Sequence, residues 1–433
     1  MDFMTEQITL QQRKDEAAQQ GSATEMRSVA RQPILDVDGR VHGYELLFRN
    51  FLDMSPGSDG DLAARTLLDD AVIFGLERYT GGLPAFVNCT AESLAEQLVN
   101  VLPPALTVLG IPETLEATPT LIETCSVLKA SGFRLAVNAS SWKPERLLLN
   151  NLANYIRVDF ARTSAAVRQE LWQHRENLHA GMLAQKVESQ LDFQMAKAEG
   201  FTLFQGFYFC RPELLSNRKV PTNRLFHFEI LQQLYREQVD MKKLAQLVMR
   251  DAALTYRLLR FVNSPLYAVR QEVRSIESAL LLVGADAFRR IATLAILSEQ
   301  NSGQAPEVLN MAFVRALFCE LAANQCALDP SEQYLLGLFS LLPAMLLVPM
   351  EELVPHLPLR DAIRRALLGS AVPERCLLHW LECHEQGDWA ARDAVIESNG
   401  LLERGLNEPQ LELCYAAAVA GAEVSMRSAT GSV

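Results

Sequence analysis

The segment SGFRLAVNASSW, residues 131–142, is an apolar run that ends in small polar side chains. The apolar residues 133–137 follow a glycine and are typical of a buried strand. Asn138, Ala139 and two serines come next. An α/β barrel holds its catalytic groups at the carboxyl ends of its strands, so this loop would occupy a catalytic position. It contains hydroxyl groups but no acid, no base and no stronger nucleophile.

Similar segments recur up to about residue 210, where short apolar runs alternate with stretches that suit helices. The runs are AFVNCT, TVLGIP, RLAVN, YIRVDF, MLAQKV and LFQGFYF. Strands that alternate with helices favour a parallel sheet covered by helices, and this many units favour a closed sheet. A hairpin around DVDG, residues 36–39, precedes them. The sequence therefore predicts an α/β fold for residues 26–215, a TIM-like (β/α) barrel.

The second half of the chain has helical patterns and no strand signals. Apolar residues in LAQLVMRDAALTYRLLRFVNSP recur at the spacing of one helix face. We therefore predict an all-α domain over residues 222–420, joined to the barrel by a short polar linker at 214–223. The glutamine-rich residues 1–25 and the last residues, 421–433, are predicted to be flexible tails.

The composition excludes several classes of protein. A net charge of −12 and a pI near 5.2 argue against a broad surface for nucleic acids or anionic membranes. Eight cysteines occur without a C-x-x-C pair, which indicates a reducing compartment. No unbroken apolar run reaches the roughly 18–20 residues of a membrane span. These features predict a cytoplasmic protein that does not insert into membranes.

Several separated motifs resemble two known families. The segment QPILDVDGRVHGYELLFR, residues 32–49, resembles the opening of EAL domains, barrel phosphodiesterases that hydrolyse cyclic di-GMP. FVNCT, IPET and VESQLDFQMAKAEGFTLFQGFYFCRP resemble later parts of the same domain. RDAALTYRLLRFVNSPLY, SIESALLLVGADAFRRIATL and EQGDW resemble the helical HDOD domain. The resemblance implies a bacterial EAL–HDOD signalling protein.

The resemblance also implies which residues would form the catalytic site. EAL enzymes use two divalent metals held by carboxylates, which activate a water and stabilise developing charge. The positions that keep the expected residue type are Glu45, Asn88, Glu113, Glu188 and Gln205. Asp159 is the acidic residue that follows the expected lysine position, residue 157. The positions that depart from it are Asn138, Ala139, Arg157 and Gln185, where the family has two aspartates, a lysine and a glutamate.

The lost acidic groups remove three formal charges from one pocket. On this ground we predict a degenerate site, no catalysis, no bound metal and no cofactor, with Mg²⁺ or Mn²⁺ needed only if the barrel retains activity. Glu45 and Glu113 would then pair with Arg49 or Arg157, the alternative being metal binding. Arg49, together with Gln32, is the candidate for contacting a nucleotide phosphate, since a guanidinium matches phosphate oxygens in a fork.

The helical half has no adjacent His-Asp pair, so a metal-dependent hydrolase is not indicated there. The sequence therefore favours a catalytically silent protein that acts by binding other signalling or regulatory proteins. A weakly active cyclic di-GMP phosphodiesterase and a binding-only receptor are the alternatives, and the oligomeric state stays open. Arg257, Arg260 and Arg289 form a candidate basic face for an acidic partner, the alternative being an ordinary solvated helix.

Overall fold

The computed structural model describes most of the barrel and most of the helical domain. It describes residues 28–49, 76–174, 180–210, 230, 233–234, 241–263, 273, 275–300, 306–346, 348–357, 359–399, 401 and 405–430. The predicted tail at 1–25 and the predicted linker at 214–223 lie outside these residues.

Eight strands form a closed barrel in the order of the chain, which confirms the predicted fold. They are β1 (Ser28–Asp36), β2 (Val41–Arg49), β3 (Ala85–Asn88), β4 (Thr107–Ile111), β5 (Arg134–Asn138), β6 (Tyr155–Asp159), β7 (Gly181–Gln185) and β8 (Leu203–Gln205). Strand β1 runs antiparallel to both neighbours, β2 and β8, and the remaining pairs are parallel. The tight turn at residues 36–39 reverses the chain between β1 and β2, which is why this first pair is antiparallel.

Helices follow the strands of the barrel. They are α1 (Glu77–Thr80), α2 (Ala91–Ala95), α3 (Pro119–Ala130), α4 (Leu147–Leu152), α5 (Ala165–Gln173) and α6 (Gln190–Ala198), with 3₁₀ turns at Leu98–Val101, Pro144–Arg146 and Tyr208–Cys210. Thr90, Thr118, Ser164 and Ser189 each accept a hydrogen bond from a backbone amide in the first turn of α2, α3, α5 and α6. These caps satisfy amides that have no partner inside the helix.

The described residues of the second domain form helices and the turns that connect them, with no strand, as predicted. Its helices are α7 (Met241–Met249), α8 (Ala252–Val262), α9 (Ile276–Gln300, kinked at Gly284), α10 (Pro306–Ala323), α11 (Pro330–Phe339), α12 (Leu342–Leu346), α13 (Met350–Leu353), α14 (Asp361–Leu367), α15 (Cys376–Gln386), α16 (Trp389–Ser398) and α17 (Glu408–Thr430), with 3₁₀ turns at Val354–His356 and Pro373–Arg375.

The prediction of a flexible tail from residue 421 is wrong for residues 421–430. Helix α17 runs to Thr430, and Ala422 is completely buried. Glu423 reaches across to the barrel, where its Oε1 accepts a hydrogen bond from Arg31 Nη1 of β1 at 3.2 Å. Small polar residues in this segment suggested fraying, but packing on α10 and the Glu423 contact with β1 hold residues 421–423 in place.

Alternation along the strands places an apolar layer in the middle of the barrel and a polar layer above it. Ile34, Phe86, Val108, Ala136, Leu183 and Leu203 form the buried apolar layer. Side chains two residues apart on a strand point to the same side, so on the parallel strands the next inward position lies at the carboxyl end of the barrel. That position carries a polar side chain on β3, β5, β7 and β8, and a glycine on β4. This end of the barrel is called the mouth.

The helical domain packs directly on the first two strands. Tyr44 of β2 donates its hydroxyl hydrogen to Glu307 of α10 at 3.2 Å, and both side chains are buried. His384 of α15 lies 3.3 Å from the carbonyl oxygen of Val29 in β1. One hydrophobic cluster contains residues of both domains. The two halves therefore share one large buried cluster, and a smaller apolar cluster lies inside the barrel alone.

We predict that Gly337→Ala destabilises the helical domain. A Cβ at Gly337 of α11 would lie 2.4 Å from the backbone oxygen of Arg315 in α10, so the two helices would have to separate. Overpacking of this kind costs about 1–3 kcal/mol, which outweighs the gain in helix propensity. Urea unfolding would measure the loss.

Gly421→Ala in α17 is the matched control for this helix glycine. Its Cβ would meet the end of the Leu317 side chain at 3.1 Å, and that flexible group can move aside. We expect Gly421→Ala to leave stability unchanged or to raise it. Equal effects of the two substitutions would show that the contact between α10 and α11 is not as close as described.

Candidate active site at the barrel mouth

The centre of the mouth is a buried carboxylate, Glu45 of β2. Its Oε1 accepts hydrogen bonds from Arg157 Nη2 and from Asn88 Nδ2, the latter at 3.1 Å. Its Oε2 accepts a short hydrogen bond from Gln205 Nε2. Glu45 and Arg157 also form an ion pair, and each is at most 6% exposed. The carboxylate is therefore surrounded by donors from β3, β6 and β8.

Arg157 of β6 crosses the mouth to reach Glu45. Strands β2 and β6 are four places apart in a closed sheet of eight, so they face each other. Arg157 Nη1 donates to Asn88 Oδ1 at 2.7 Å. Gly110 of β4 makes room for this bond, because a Cβ there would lie 2.7 Å from Asn88 Oδ1 and 2.8 Å from Arg157 Nη1.

Three glutamines continue the network on the β7, β8 and β1 side. Gln205 Nε2 donates to Gln32 Oε1 at 3.0 Å as well as to Glu45. One end of the Gln185 side-chain amide lies 3.0 Å from Gln205 Oε1 and 3.1 Å from Arg157 Nε. Gln185 therefore contacts the guanidinium and the neighbouring amide together.

A second carboxylate, Glu113, lies in the loop after β4. Its Oε1 forms an ion pair with Lys143 Nζ at 2.6 Å, and its Oε2 accepts a hydrogen bond from the amide of Ser140 at 2.8 Å. Burial raises the pKa of the Glu113 carboxyl, but the bonds from Lys143 and Ser140 outweigh it, so the pKa lies below its ordinary value. Glu113 is therefore ionised and paired with a lysine rather than with an arginine.

Asp159 and Glu188 lie at the rim. Asp159 ends β6 and pairs with Lys186 Nζ at 2.8 Å. Lys186 has a φ of 57°, in the left-handed region that a lysine seldom adopts. Glu188 follows β7 by three residues and is partly exposed. These two carboxylates therefore lie around the mouth, whereas Glu45 lies within it.

The two remaining substituted positions are on β5 and directly after it. Asn138 ends β5, and its Oδ1 is buried with no hydrogen-bond partner among the described residues. Ala139 is buried in the core behind the strand end, 7% exposed. An aspartate at residue 139 would place a charge in this apolar setting, so alanine there removes a desolvation cost.

Some predicted residues cannot be placed in the site. Arg49 ends β2 at the mouth, but its side chain lies outside the described atoms. The same is true of the side chains of Arg257 and Arg260 on α8. Arg289 on α9 is half-buried. A phosphate contact at Arg49 and a basic partner face on α8 and α9 therefore stay predictions.

The electrostatics of Glu45 decide what the mouth can bind as it stands. Burial raises the pKa of the Glu45 carboxyl, but the charge of Arg157 and the hydrogen bonds from Gln205, Arg157 and Asn88 lower it more. Its pKa therefore lies below the ordinary value of 4.5. The negative charge is already balanced by a guanidinium inside the barrel.

This arrangement does not fit two divalent metals. Across the described part of the chain, no group of three or more histidine, cysteine, aspartate or glutamate side chains is placed to hold a metal ion. Glu45 and Glu113 each pair with a cation. Asn138 Oδ1 offers one neutral acceptor. A metal at Glu45 would have to displace Arg157.

Sequence reasoning missed Gly110, Lys143 and Lys186. The glycine inside the strand TVLGI was a usable signal, because a lone strand glycine often marks the close approach of another group. The two lysines were ordinary surface residues in the sequence. Nothing in their spacing indicated that they would pair with Glu113 and Asp159.

Comparison with known proteins identifies both parts of the chain. The HDOD domain family model matches residues 220–355. The chain is 32% identical over 372 residues to the uncharacterized protein YuxH of Bacillus subtilis (strain 168), covering 83% of this chain and 91% of YuxH. It is 32% identical over 370 residues to the cyclic di-GMP phosphodiesterase CdgJ of Vibrio cholerae serotype O1, covering 83% of this chain and 85% of CdgJ.

A closed barrel with an antiparallel first strand, followed by an HDOD domain, defines the class of EAL–HDOD signalling proteins. This chain belongs to the EAL–HDOD family, with YuxH and CdgJ as relatives. The resemblance drawn from the sequence motifs is therefore confirmed.

Solved EAL structures are among those similar to part of this chain. A standalone EAL protein from Vibrio cholerae O395, in its c-di-GMP-bound form, is 22% identical and covers 43% of this chain and 92% of its own, with a TM-score of 0.34. The PaMucR phosphodiesterase in its c-di-GMP complex is 20% identical and covers 46% of this chain and 99% of its own, with a TM-score of 0.36. At these identities the likeness says nothing about chemistry.

The prediction that the chain is not an enzyme is wrong in the light of CdgJ, a relative whose name is that of a cyclic di-GMP phosphodiesterase. The prediction counted acidic residues at matching positions, and such a count does not measure what the remaining groups can do together. None of the helices that the structure describes is long and apolar enough to cross a membrane.

We predict that Arg157→Met destabilises the fold by about 3–5 kcal/mol, because it leaves the Glu45 carboxylate buried without its ion-pair partner. The double variant Arg157→Met, Glu45→Gln should recover part of this loss, since no charge is then left buried. Urea unfolding of the two variants and the native chain would measure both effects.

Arg162→Met is the matched control for this experiment. Arg162 lies on the same side of the barrel and pairs with Asp159 at 3.9 Å, but its side chain is 83% exposed. Exposed pairs contribute about 0–1 kcal/mol, so this variant should be nearly as stable as the native chain. Similar losses at Arg157 and Arg162 would contradict a buried ion pair at the mouth.

The depressed pKa of Glu45 predicts a specific pH dependence. A carboxyl whose folded pKa lies below its unfolded value stabilises the fold above the unfolded pKa and loses that contribution as the pH falls through the folded pKa. The difference in unfolding free energy between the native chain and Glu45→Gln should therefore be constant near neutral pH. It should shrink below about pH 4.5.

Glu145→Gln, at an exposed position, is the control for this pH series. It makes the same change from carboxylate to amide without touching a buried pair, and should change stability by less than about 0.5 kcal/mol. A Glu45→Gln difference that grows as the pH falls would mean that the Glu45 carboxyl is not stabilised in its ionised form.

Proposed function

We propose that this chain binds cyclic di-GMP at the mouth of its barrel and hydrolyses it there. The observation that carries the proposal is the 32% identity to CdgJ over 83% of the chain, which includes both domains. In the proposed reaction, water adds across one phosphodiester bond and opens the ring to a linear dinucleotide.

The polar groups at the mouth suit an anionic ligand. Lys143 and Lys186 stand at its rim, with side chains 38% and 56% exposed. Each pairs with a carboxylate. A phosphate oxygen could bind the lysine together with that carboxylate or in its place. Charge-assisted hydrogen bonds from such donors are stronger than neutral ones. These two lysines are therefore proposed contacts for the phosphates of the dinucleotide.

The Glu45–Arg157 pair limits metal-assisted hydrolysis at the mouth. Mg²⁺ or Mn²⁺ would supply the charge that activates water in this class of hydrolysis. In the arrangement described, Glu45 is held by Arg157, Gln205 and Asn88, so no metal-dependent step follows from it. We propose that the pair must open before hydrolysis, and that turnover is consequently slow.

A role for the helical domain in binding another signalling protein remains a proposal. Arg257, Arg260 and Arg289 are the residues proposed for that face. The composition supports them, because they are basic residues in an acidic chain.

The test is to incubate the full-length protein with cyclic di-GMP and separate the products by chromatography. Parallel samples contain Mg²⁺, Mn²⁺ or a chelator, and calorimetry measures binding in each. We expect binding, with a linear dinucleotide forming in at least one metal condition. Binding without product under every condition, or no binding at all, would contradict the proposal.

Glu45→Gln and Glu145→Gln provide the matched pair of variants. The first removes the buried carboxylate of the mouth, and the second removes an exposed one. Hydrolysis should be lost in Glu45→Gln and retained in Glu145→Gln. Equal turnover in both variants would show that the reaction takes place elsewhere or comes from a contaminant.

A further inference from the structure

A continuous chain of hydrogen bonds leads from the mouth to the helical domain. Gln205 Nε2 donates to Glu45 Oε2 and also to Gln32 Oε1, the latter at 3.0 Å. Gln32 Nε2 in turn donates to the backbone oxygen of Glu385 in α15 at 3.1 Å. Residues 32 and 385 are 353 positions apart, so only the packing of the two domains brings them together.

The Glu385 oxygen is one of the last carbonyls of α15, which ends at Gln386. Such carbonyls receive no hydrogen bond from an amide of the same helix and need donors from outside it. The amides of Gly387 and Asp388 satisfy the carbonyls of His384 and Cys383. Gln32 provides a donor for Glu385. The barrel therefore caps the carboxyl end of this helix through Gln32.

The end of α15 is also anchored within the helical domain. The Glu385 carboxylate accepts hydrogen bonds from Arg315 Nε at 3.1 Å and from Arg315 Nη2 at 2.7 Å, and both side chains are buried. Arg315 Nη1 also donates to Ser340 Oγ at 3.1 Å. Gly387, directly after the helix, sits against Leu47 of β2 so closely that a Cβ there would lie 2.8 Å from Leu47 Cδ1.

The side chain of Gln32 suits this place because a carboxamide can accept and donate together. Its oxygen faces the barrel network and its nitrogen faces the helix. A carboxylate could keep only the first bond, and an apolar side chain could keep neither. The two bonds link the orientation of Gln205, and through it Glu45, to the position of α15.

We infer that Gln32 is a positioning residue that couples the helical domain to the Glu45 carboxylate. A shift of α15 relative to β1 would break or lengthen the Gln32 bond, reorient Gln205 and change how tightly Glu45 is held beside Arg157. For its activity readout the inference rests on the proposed function. A second readout, amide hydrogen exchange at the mouth, is independent of any ligand.

The experiment combines one change in each domain. Glu385→Gln weakens the anchor of α15 to Arg315. Gln32→Met removes both hydrogen bonds of Gln32, from Gln205 and to the Glu385 carbonyl, which together are called the relay. We expect Glu385→Gln to speed amide exchange in the peptides that contain Glu45 and Arg157, and to change kcat for cyclic di-GMP by about fivefold, the size of one hydrogen bond. In the Gln32→Met background the same change should have no further effect on either quantity.

Gln32→Glu separates the two halves of the relay, because its carboxylate can still accept from Gln205 but cannot donate to Glu385. It should reproduce the insensitivity to Glu385→Gln while keeping kcat closer to the native value than Gln32→Met does. Arg360→Ala, which breaks an exposed ion pair with Glu332 in the same helical domain, is the control and should leave both readouts unchanged.

Two outcomes would overturn the inference. The first is that Glu385→Gln leaves exchange at the mouth unchanged. The second is that the effects of Glu385→Gln and Gln32→Met on exchange simply add, as for independent sites. If the native chain neither binds nor hydrolyses cyclic di-GMP, the proposed function fails, but the exchange measurements still decide whether the relay exists.

Discussion

The buried ion pair between Glu45 and Arg157 is the interaction on which the mouth of the barrel depends. An ionised carboxylate inside a protein is costly unless a cation and several donors surround it. Arg157 reaches it from the opposite strand, and Asn88 and Gln205 supply further donors. The guanidinium fits because Gly110 has no side chain. Each of these residues is explained by the need to satisfy one buried charge and its partner.

The same pair bears on the acidic residues that the EAL resemblance leads one to expect at the mouth. Two metals and a set of carboxylates balance one another in such a site, so removing one group leaves the others out of balance. In this chain a fixed guanidinium supplies positive charge, while Asn138, Ala139 and Gln185 supply none that is negative. Arg157 thereby balances the charge of Glu45 inside the mouth, and any metal has to compete with Arg157 for Glu45.

The domain interface extends this network beyond the barrel. Buried polar groups need partners, and those on β1 and β2 find them in the helical domain: Arg31 with Glu423, Tyr44 with Glu307 and Gln32 with Glu385. Contacts of this kind depend on orientation more than apolar packing does, so they define one relative placement of the two domains. Tyr44, which is next to Glu45 in the sequence, thus serves the interface, while Glu45 itself faces the mouth.

The sequence by itself determined the barrel, the helical domain and the positions at the strand ends, because these follow from local periodicity and from motifs that lie close together in the chain. It indicated Glu45, Asn88, Asn138 and Gln205 as mouth residues. It could not determine that Lys143 pairs with Glu113, that Glu423 lies in a helix, or that Gln32 meets Glu385. These matters depend on which groups become neighbours when distant segments pack and exclude water, and only the tertiary structure decides that.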